Sequence, residues 1–244
     1  MCGRYVATQS AEQIIEEFDV EANQAGELVR DYNVAPSKQV AAVVQRPARD
    51  DRPAQRQLRS LTWGLIPSWA KDPTIGNRMI NARVETVAEK PAFRRAFALR
   101  RAILPADGYY EWYQTQQKTA TGRPRKQPFY IHPKSGGSMA MAGIYEIWKD
   151  PEKGEQDPDQ FRWTCTILTT AAEESLAAIH DRMPVLLTPG QYDAWLDPAN
   201  NDPQELLRLI AATPTGLLES FPVSTEVSNA RNNGPALIEP IRLD

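Results

Sequence analysis

The stretch Arg101-Ala-Ile-Leu-Pro-Ala-Asp-Gly-Tyr-Tyr-Glu-Trp-Tyr113 is dense in aliphatic and aromatic residues and is punctuated only by Pro105, Asp107 and Gly108. Such a run reads as strand. Three more runs follow: 127–133 (QPFYIHP), 139–148 (MAMAGIYEIW) and 161–170 (FRWTCTILTT). Each is rich in aromatic or β-branched residues and bounded by turn formers, so all are expected to be strands. The intervening TATGRPRKQ, residues 119–127, reads as a solvated loop.

Working outward, 39–45 (QVAAVVQ) and 57–66 (QLRSLTWGLI) read as two strands joined by a polar loop. Ser10 with Gln13 is a capping-box pattern, and Ala11, Ile14, Ile15 and Phe18 recur at helical spacing. A strand or arm over 2–7 therefore feeds a helix over 11–19. Residues 67–100 are irregular apart from a short helix near 91–98. Beyond 170 the pattern predicts helices over 171–178 (capped by Thr170 with Glu173), 189–197 and 203–212, and strands over 183–187 and 220–227. Strands dominate and helices do not alternate strictly with them. The expected class is α+β, with a mainly antiparallel, barrel-like β-sheet and peripheral helices, forming one domain over 1–244.

Composition narrows the function. The chain has 244 residues, 41% hydrophobic and 24% charged, with a net charge of −3. No apolar run approaches a membrane span, and the first residues lack the apolar core of a secretory signal. A cytoplasmic protein without membrane contact is expected. The two cysteines, Cys2 and Cys165, suggest no disulfide framework. Cys165 reads as a small buried hydrophobe. With only His132 and His180 besides, no metal site and no cofactor is expected. The modest acidity hides an asymmetry: residues 71–101 hold eight basic residues against three acidic ones. Such a stretch is either a solvated charged face or a surface that attracts phosphates.

Four places carry candidate chemistry. If Met1 is removed, Cys2 presents a free α-amine beside its thiol. An α-amine titrates at about 7.7–8.0, so part of it is nucleophilic at neutral pH. A 1,2-aminothiol condenses with an aldehyde to an imine and then closes to a thiazolidine. The same thiol is also able to attack an amide; the alternative reading is that Cys stands at residue 2 by chance. Glu111, in its aromatic strand, suits acid–base work if buried and is otherwise an exposed carboxylate. His180, in the polar turn Ile179-His-Asp-Arg-Met-Pro184, is either a catalytic base or a helix-terminal dipole partner. In Ile80-Asn-Ala-Arg-Val-Glu-Thr86, Asn81 offers a donor and an acceptor, and Arg83 offers a phosphate fork.

Taken together, these pieces resemble the SOS-response-associated peptidase (SRAP) family. The resemblance rests on Met1-Cys-Gly-Arg4, Tyr32-Asn-Val-Ala-Pro36, Trp63-Gly-Leu-Ile-Pro67, Ile80–Thr86, Ala106–Trp112 and Ile179–Pro184. Val223-Ser224 and Val227-Ser-Asn229 add to it, and it spans about residues 2–240. It implies a single α+β domain that crosslinks covalently to abasic sites in single-stranded DNA through a thiazolidine. By similarity, Cys2 is the nucleophile through amine and thiol, and Asn81 positions the amine and the sugar. Glu111 is the general acid–base, and His180 assists ring opening and reversal. The family also implies self-release of Met1. DNA contacts fall to Arg4, Asn33, Arg83 and Arg182, with Trp69 as a stacking residue. Some family members carry a second aromatic after that Trp, where this chain has Ala70. The resemblance implies a monomer, associated with the nucleoid if the source is bacterial.

Overall fold

The computed structural model describes residues 2–118, 121–122 and 124–243. In it the run 101–113 is divided between two sheets. In chain order the first strands are β1 (Tyr5–Ala7), β2 (Ala22–Asn23), β3 (Asp31–Val34), β4 (Gln39–Arg46), β5 (Gln55–Trp63), β6 (Asn81–Arg83) and β7 (Arg101–Ala106). Then come β8 (Gly108–Lys118), β9 (Pro124–Pro133), β10 (Met139–Lys149), β11 (Phe161–Ala171), β12 (Arg182–Pro184), β13 (Leu186–Leu187) and β14 (Leu218–Pro222). The α-helices are α1 (Ala11–Glu17), α2 (Val84–Val87), α3 (Arg94–Leu99), α4 (Glu174–Ala177), α5 (Tyr192–Leu196) and α6 (Pro203–Ala211).

Five strands close into a barrel in the order β11-β10-β7-β4-β5. Strand β5 returns to β11 in parallel, pairing Thr62 with Thr164 and Trp63 with Cys165. The other barrel pairings are antiparallel. Closure leaves these strands no open edge. The second sheet, β14-β9-β8-β1-β3, is wholly antiparallel. The fold is thus α+β and barrel-like, with short helices outside.

The chain passes from barrel to second sheet at Asp107. Its carboxylate accepts from the Thr8 backbone N–H at 2.6 Å and the Thr8 hydroxyl at 2.8 Å. Gly108 follows, and a Cβ there would stand 2.5 Å from the Tyr130 ring. A residue without a side chain leaves room for the Tyr130 ring to lie over the start of β8.

The barrel strands are buried on both faces, which explains their continuous apolar runs. On β4, Val43 faces an outer cluster with Ile14, Phe97, Trp195 and Leu206 from the helices. Its neighbours Ala42 and Val44 join an inner cluster with Leu104, Met141, Cys165 and Ile167. Cys165 is buried there as a small apolar residue.

Several boundaries move. The loop expected over 119–127 gives way to strand from Pro124 on: β8 and β9 form a long ribbon pairing Gln114 with Lys126. Thr119, Ala120 and Arg123 of that segment lie outside the described residues. Strand β11 runs through Ala171, so the helix expected from 171 shrinks to α4. Glu173 is its N-cap, without a side-chain cap bond. Within the irregular stretch, β6 pairs in parallel with β11. The basic stretch 71–101 does not act as one surface. Arg101 is 2% exposed and donates to the Trp195, Phe97 and Asn200 carbonyls. It is a structural pin for α3 and α5.

Candidate active site

Pairing places the N-terminal arm. Strand β1 pairs with β8 in the register Tyr5 to Tyr109, and the Tyr110 N–H donates to the Arg4 carbonyl at 2.9 Å. The antiparallel arm then carries Gly3 and Cys2 back alongside Glu111 and Trp112. Cys2 is fully buried and joins the inner cluster with Tyr5, Trp63 and Tyr109. It therefore closes one mouth of the barrel. Met1, on which the expected self-release turns, lies outside the described residues.

Asn81 approaches from the other side. Strand β6 pairs Asn81 with Ile167 of β11, and the Trp63 indole N–H holds the Ile80 carbonyl at 2.8 Å. From there Asn81 Nδ2 donates to the Cys2 carbonyl at 2.8 Å. Asn81 Oδ1 is buried and accepts no hydrogen bond among the described residues.

Glu111 is 3% exposed. Burial pushes its carboxyl up to about 7, and the charge of Asp181 adds a smaller push in the same direction. Burial, and after it the Glu111 charge, also push the Cys2 thiol well above the ordinary range. The thiol is therefore neutral at rest, beside a carboxyl that exchanges its proton near neutrality.

His180 ends the turn after α4. Its Nδ1 takes the Arg182 backbone N–H at 3.0 Å and lies 2.9 Å from Asp181 Oδ1. Burial lowers its pKa. A neutral ring with its proton on Nε2 accepts that backbone N–H at Nδ1, whereas a charged ring pairs with Asp181; burial favours the neutral form. The effect of Asp181 on Glu111 sets this turn in the same neighbourhood. Cys2, Asn81, Glu111 and His180, from four segments distant in sequence, thus converge on one barrel mouth.

The expected DNA-facing residues divide. Arg83 is exposed, and Trp69 is 60% exposed beside Lys71 and Arg78. A close backbone contact fixes the short helical turn after Trp69: a Cβ on Gly76 would lie 2.7 Å from the Gly64 carbonyl oxygen. Arg182 is engaged. Its guanidinium holds Glu85 through two bonds of 2.6 and 2.9 Å and also donates to the Thr169 carbonyl. Arg4 donates to Asn33 Oδ1 at 2.7 Å and to the Val227 carbonyl at 3.0 Å, and it packs near the Trp112 ring. Asn33 is fully buried, with its amide nitrogen donating to the Val227, Asn229 and Asn232 carbonyls. Its side chain has no exposed atom to offer a strand, so it acts as a clamp that sets Arg4 and the 227–232 loop. Glu85, which holds Arg182, was not singled out from sequence. It lies within the Ile80–Thr86 motif, but a partner 97 residues away leaves no spacing signal.

The family profile "SOS response associated peptidase (SRAP)" matches residues 1–230. The protein named abasic site processing protein YoqW, from Bacillus subtilis, is 41% identical over 98% of this chain and 99% of its own length. The one named abasic site processing protein YedK, from Escherichia coli, is 30% identical over 99% of this chain and 100% of its own. A crystal structure from Bacteroides thetaiotaomicron shares the fold, with a TM-score of 0.82 and 24% identity over 99% of this chain and 100% of that one.

Proposed function

The chain belongs to the SOS response associated peptidase family, and from that membership we propose that it processes abasic sites in DNA, trapping the lesion covalently in single strands through Cys2. Loss of Met1 frees the α-amine. Its nitrogen adds to the aldehyde carbon of the ring-opened deoxyribose. Proton transfers then expel the hydroxyl as water, leaving an imine. The Cys2 sulfur adds to the imine carbon while the nitrogen takes a proton, which closes a five-membered thiazolidine. One water leaves overall, and nothing is oxidised or reduced.

Each neighbour has a role in this scheme. Glu111, with its carboxyl near 7, gives a proton to the departing hydroxyl and takes one from the thiol. Both demands are met best by a group half-protonated at working pH. Asn81 holds the Cys2 carbonyl and so fixes the reacting residue. His180, with its proton on Nε2, assists opening of the sugar ring and reversal of the link. Before that, Cys2 and Glu111 release Met1, with water adding across the Met1–Cys2 bond. Arg83 and the Trp69 surface receive the strand, while Arg4 and Arg182 meet phosphates from positions set by Asn33 and Glu85. The protein acts as a monomer in the cytoplasm. No described helix is long and apolar enough to cross a membrane.

The observation that carries this reading is the 2.8 Å bond from Asn81 to Cys2 beside a carboxyl poised near 7. Purified protein incubated with an abasic single-stranded oligonucleotide should give a shifted band on a denaturing gel. Cys2→Ala should leave at most an imine that borohydride traps. Absence of the band from wild type, with loss of Met1 confirmed by mass spectrometry, would refute it.

A further inference from the structure

The other mouth of the barrel is open, and its wall is basic. A cavity there is lined by residues from the ends of β4, β5, β10 and β11, from α3 and from the adjoining loops. Six arginines contribute: Arg46, Arg49, Arg52, Arg59, Arg95 and Arg100. No carboxylate is among the lining residues. Arg100 is paired with Glu146. The other five make no ion pair among the described residues. Asp50 and Asp51 stand between Arg49 and Arg52 in the loop, so the unbalanced charge rests on Arg46, Arg59 and Arg95, which focus a positive potential that a bound anion relieves.

The floor is built as well as charged. Tyr145 and Trp163 stack with ring centres 5.4 Å apart and planes 12° apart. The Arg59 guanidinium lies over Trp163, 4.2 Å from the ring centre. Its Nε donates to Gln57 Oε1 at 2.8 Å. That tie and the stacking hold Arg59 in one orientation, so little freedom is lost when its remaining N–H groups grip a phosphate. Arg46 is held by the Pro53 carbonyl at 2.9 Å. Arg49 and Arg52 face each other across a backbone bridge in the exposed β4–β5 loop. The mouth is separate from Cys2: Trp163 lies four residues along β11 from Ile167, the partner of Asn81, which is roughly 13 Å at strand rise.

We propose that this mouth is a second, non-catalytic anion site that binds phosphate groups arranged in a chain, as in a polyphosphate or a nucleic-acid backbone. The carboxylate-free arginine wall and the preset Arg59 fork favour several phosphates over a single small anion. The inference does not depend on the chemistry assigned to Cys2.

Fluorine NMR on the full chain labelled with 5-fluorotryptophan tests it, with Trp163→Phe and Trp69→Phe assigning the two resonances. Sodium tripolyphosphate should shift the Trp163 resonance while leaving that of Trp69 in place. Arg49→Glu with Arg95→Glu, both exposed positions, should weaken this binding at least tenfold. An undamaged oligothymidylate distinguishes the sources. If it also moves Trp163, the site takes a nucleic-acid backbone; if tripolyphosphate alone does, it takes free polyphosphate. A Trp163 resonance that neither probe moves overturns the proposal, as does undiminished binding by the charge-reversed variant.

Discussion

Replacing Glu111 by glutamine separates two consequences of its burial. The carboxyl is pushed up to about 7 in the folded chain, against 4.5 for an exposed glutamic acid. Below pH 4.5 the group is protonated in both folded and unfolded chains, and burial carries no ionisation penalty. Between 4.5 and 7 the folded chain keeps a proton that the unfolded chain releases, so stability falls as pH rises. Above 7 the deficit levels off. At 1.36 kcal/mol per pKa unit it amounts to about 3 kcal/mol. Glutamine has nearly the same shape and no charge to desolvate. Glu111→Gln should therefore match wild type in stability at pH 4 and exceed it by about 3 kcal/mol at pH 8. That difference corresponds to roughly 6–12 °C in Tm for a chain of this size. Urea or thermal melts at half-unit pH intervals measure it directly. The same variant should crosslink about 10²- to 10⁴-fold more slowly, the usual value of a general acid–base. Parallel stability curves for the two proteins across this pH range would refute the reasoning, because they would mean that Glu111 ionises as easily inside as outside.

Two further outcomes follow from the site's geometry. Asn33→Ala should cost about 1–3 kcal/mol in urea unfolding, since it strips donors from three carbonyls and the acceptor from Arg4. A loss of DNA binding at unchanged stability would instead mean that Asn33 touches the strand. Trp69→Ala, at a 60% exposed position, should change stability by no more than about 0.5 kcal/mol. In fluorescence anisotropy it should weaken single-strand binding by about 1–3 kcal/mol, and unchanged affinity would remove Trp69 from the interface.

Much of the strand content was legible because barrel strands buried on both faces leave uninterrupted apolar runs, as in 39–45 and 139–148. The break in the run 101–113 was not. Asp107 and Gly108 look like minor punctuation until Thr8 and Tyr130 are in place, and neither is near in sequence. The ribbon beyond Tyr113 was missed for the opposite reason: its residues are polar and exposed on both faces, so no alternation marks them. The capping box at Ser10 is local and is present, whereas the cap expected at Thr170 is lost because β11 runs on through Ala171. Chemical candidates could be named from residue type and resemblance. Their state of engagement could not, because Arg182 and Arg4 are held by partners 97 and 29 residues away. The basic stretch 71–101 misled for a related reason. Lys71 and Arg78 lie beside Trp69, Arg95 and Arg100 lie at the opposite mouth, and Arg101 is enclosed.

The enclosure of Cys2 bears on how the protein survives between encounters. Peroxide and electrophiles attack thiolates, and a fully buried thiol held in its neutral form offers them almost none. Under the chemistry proposed for it, a Cys2 oxidised beforehand could no longer close the thiazolidine ring. In that scheme the barrel mouth would serve as a stopper on the reagent bottle, keeping the aminothiol intact until an aldehyde arrives on a strand.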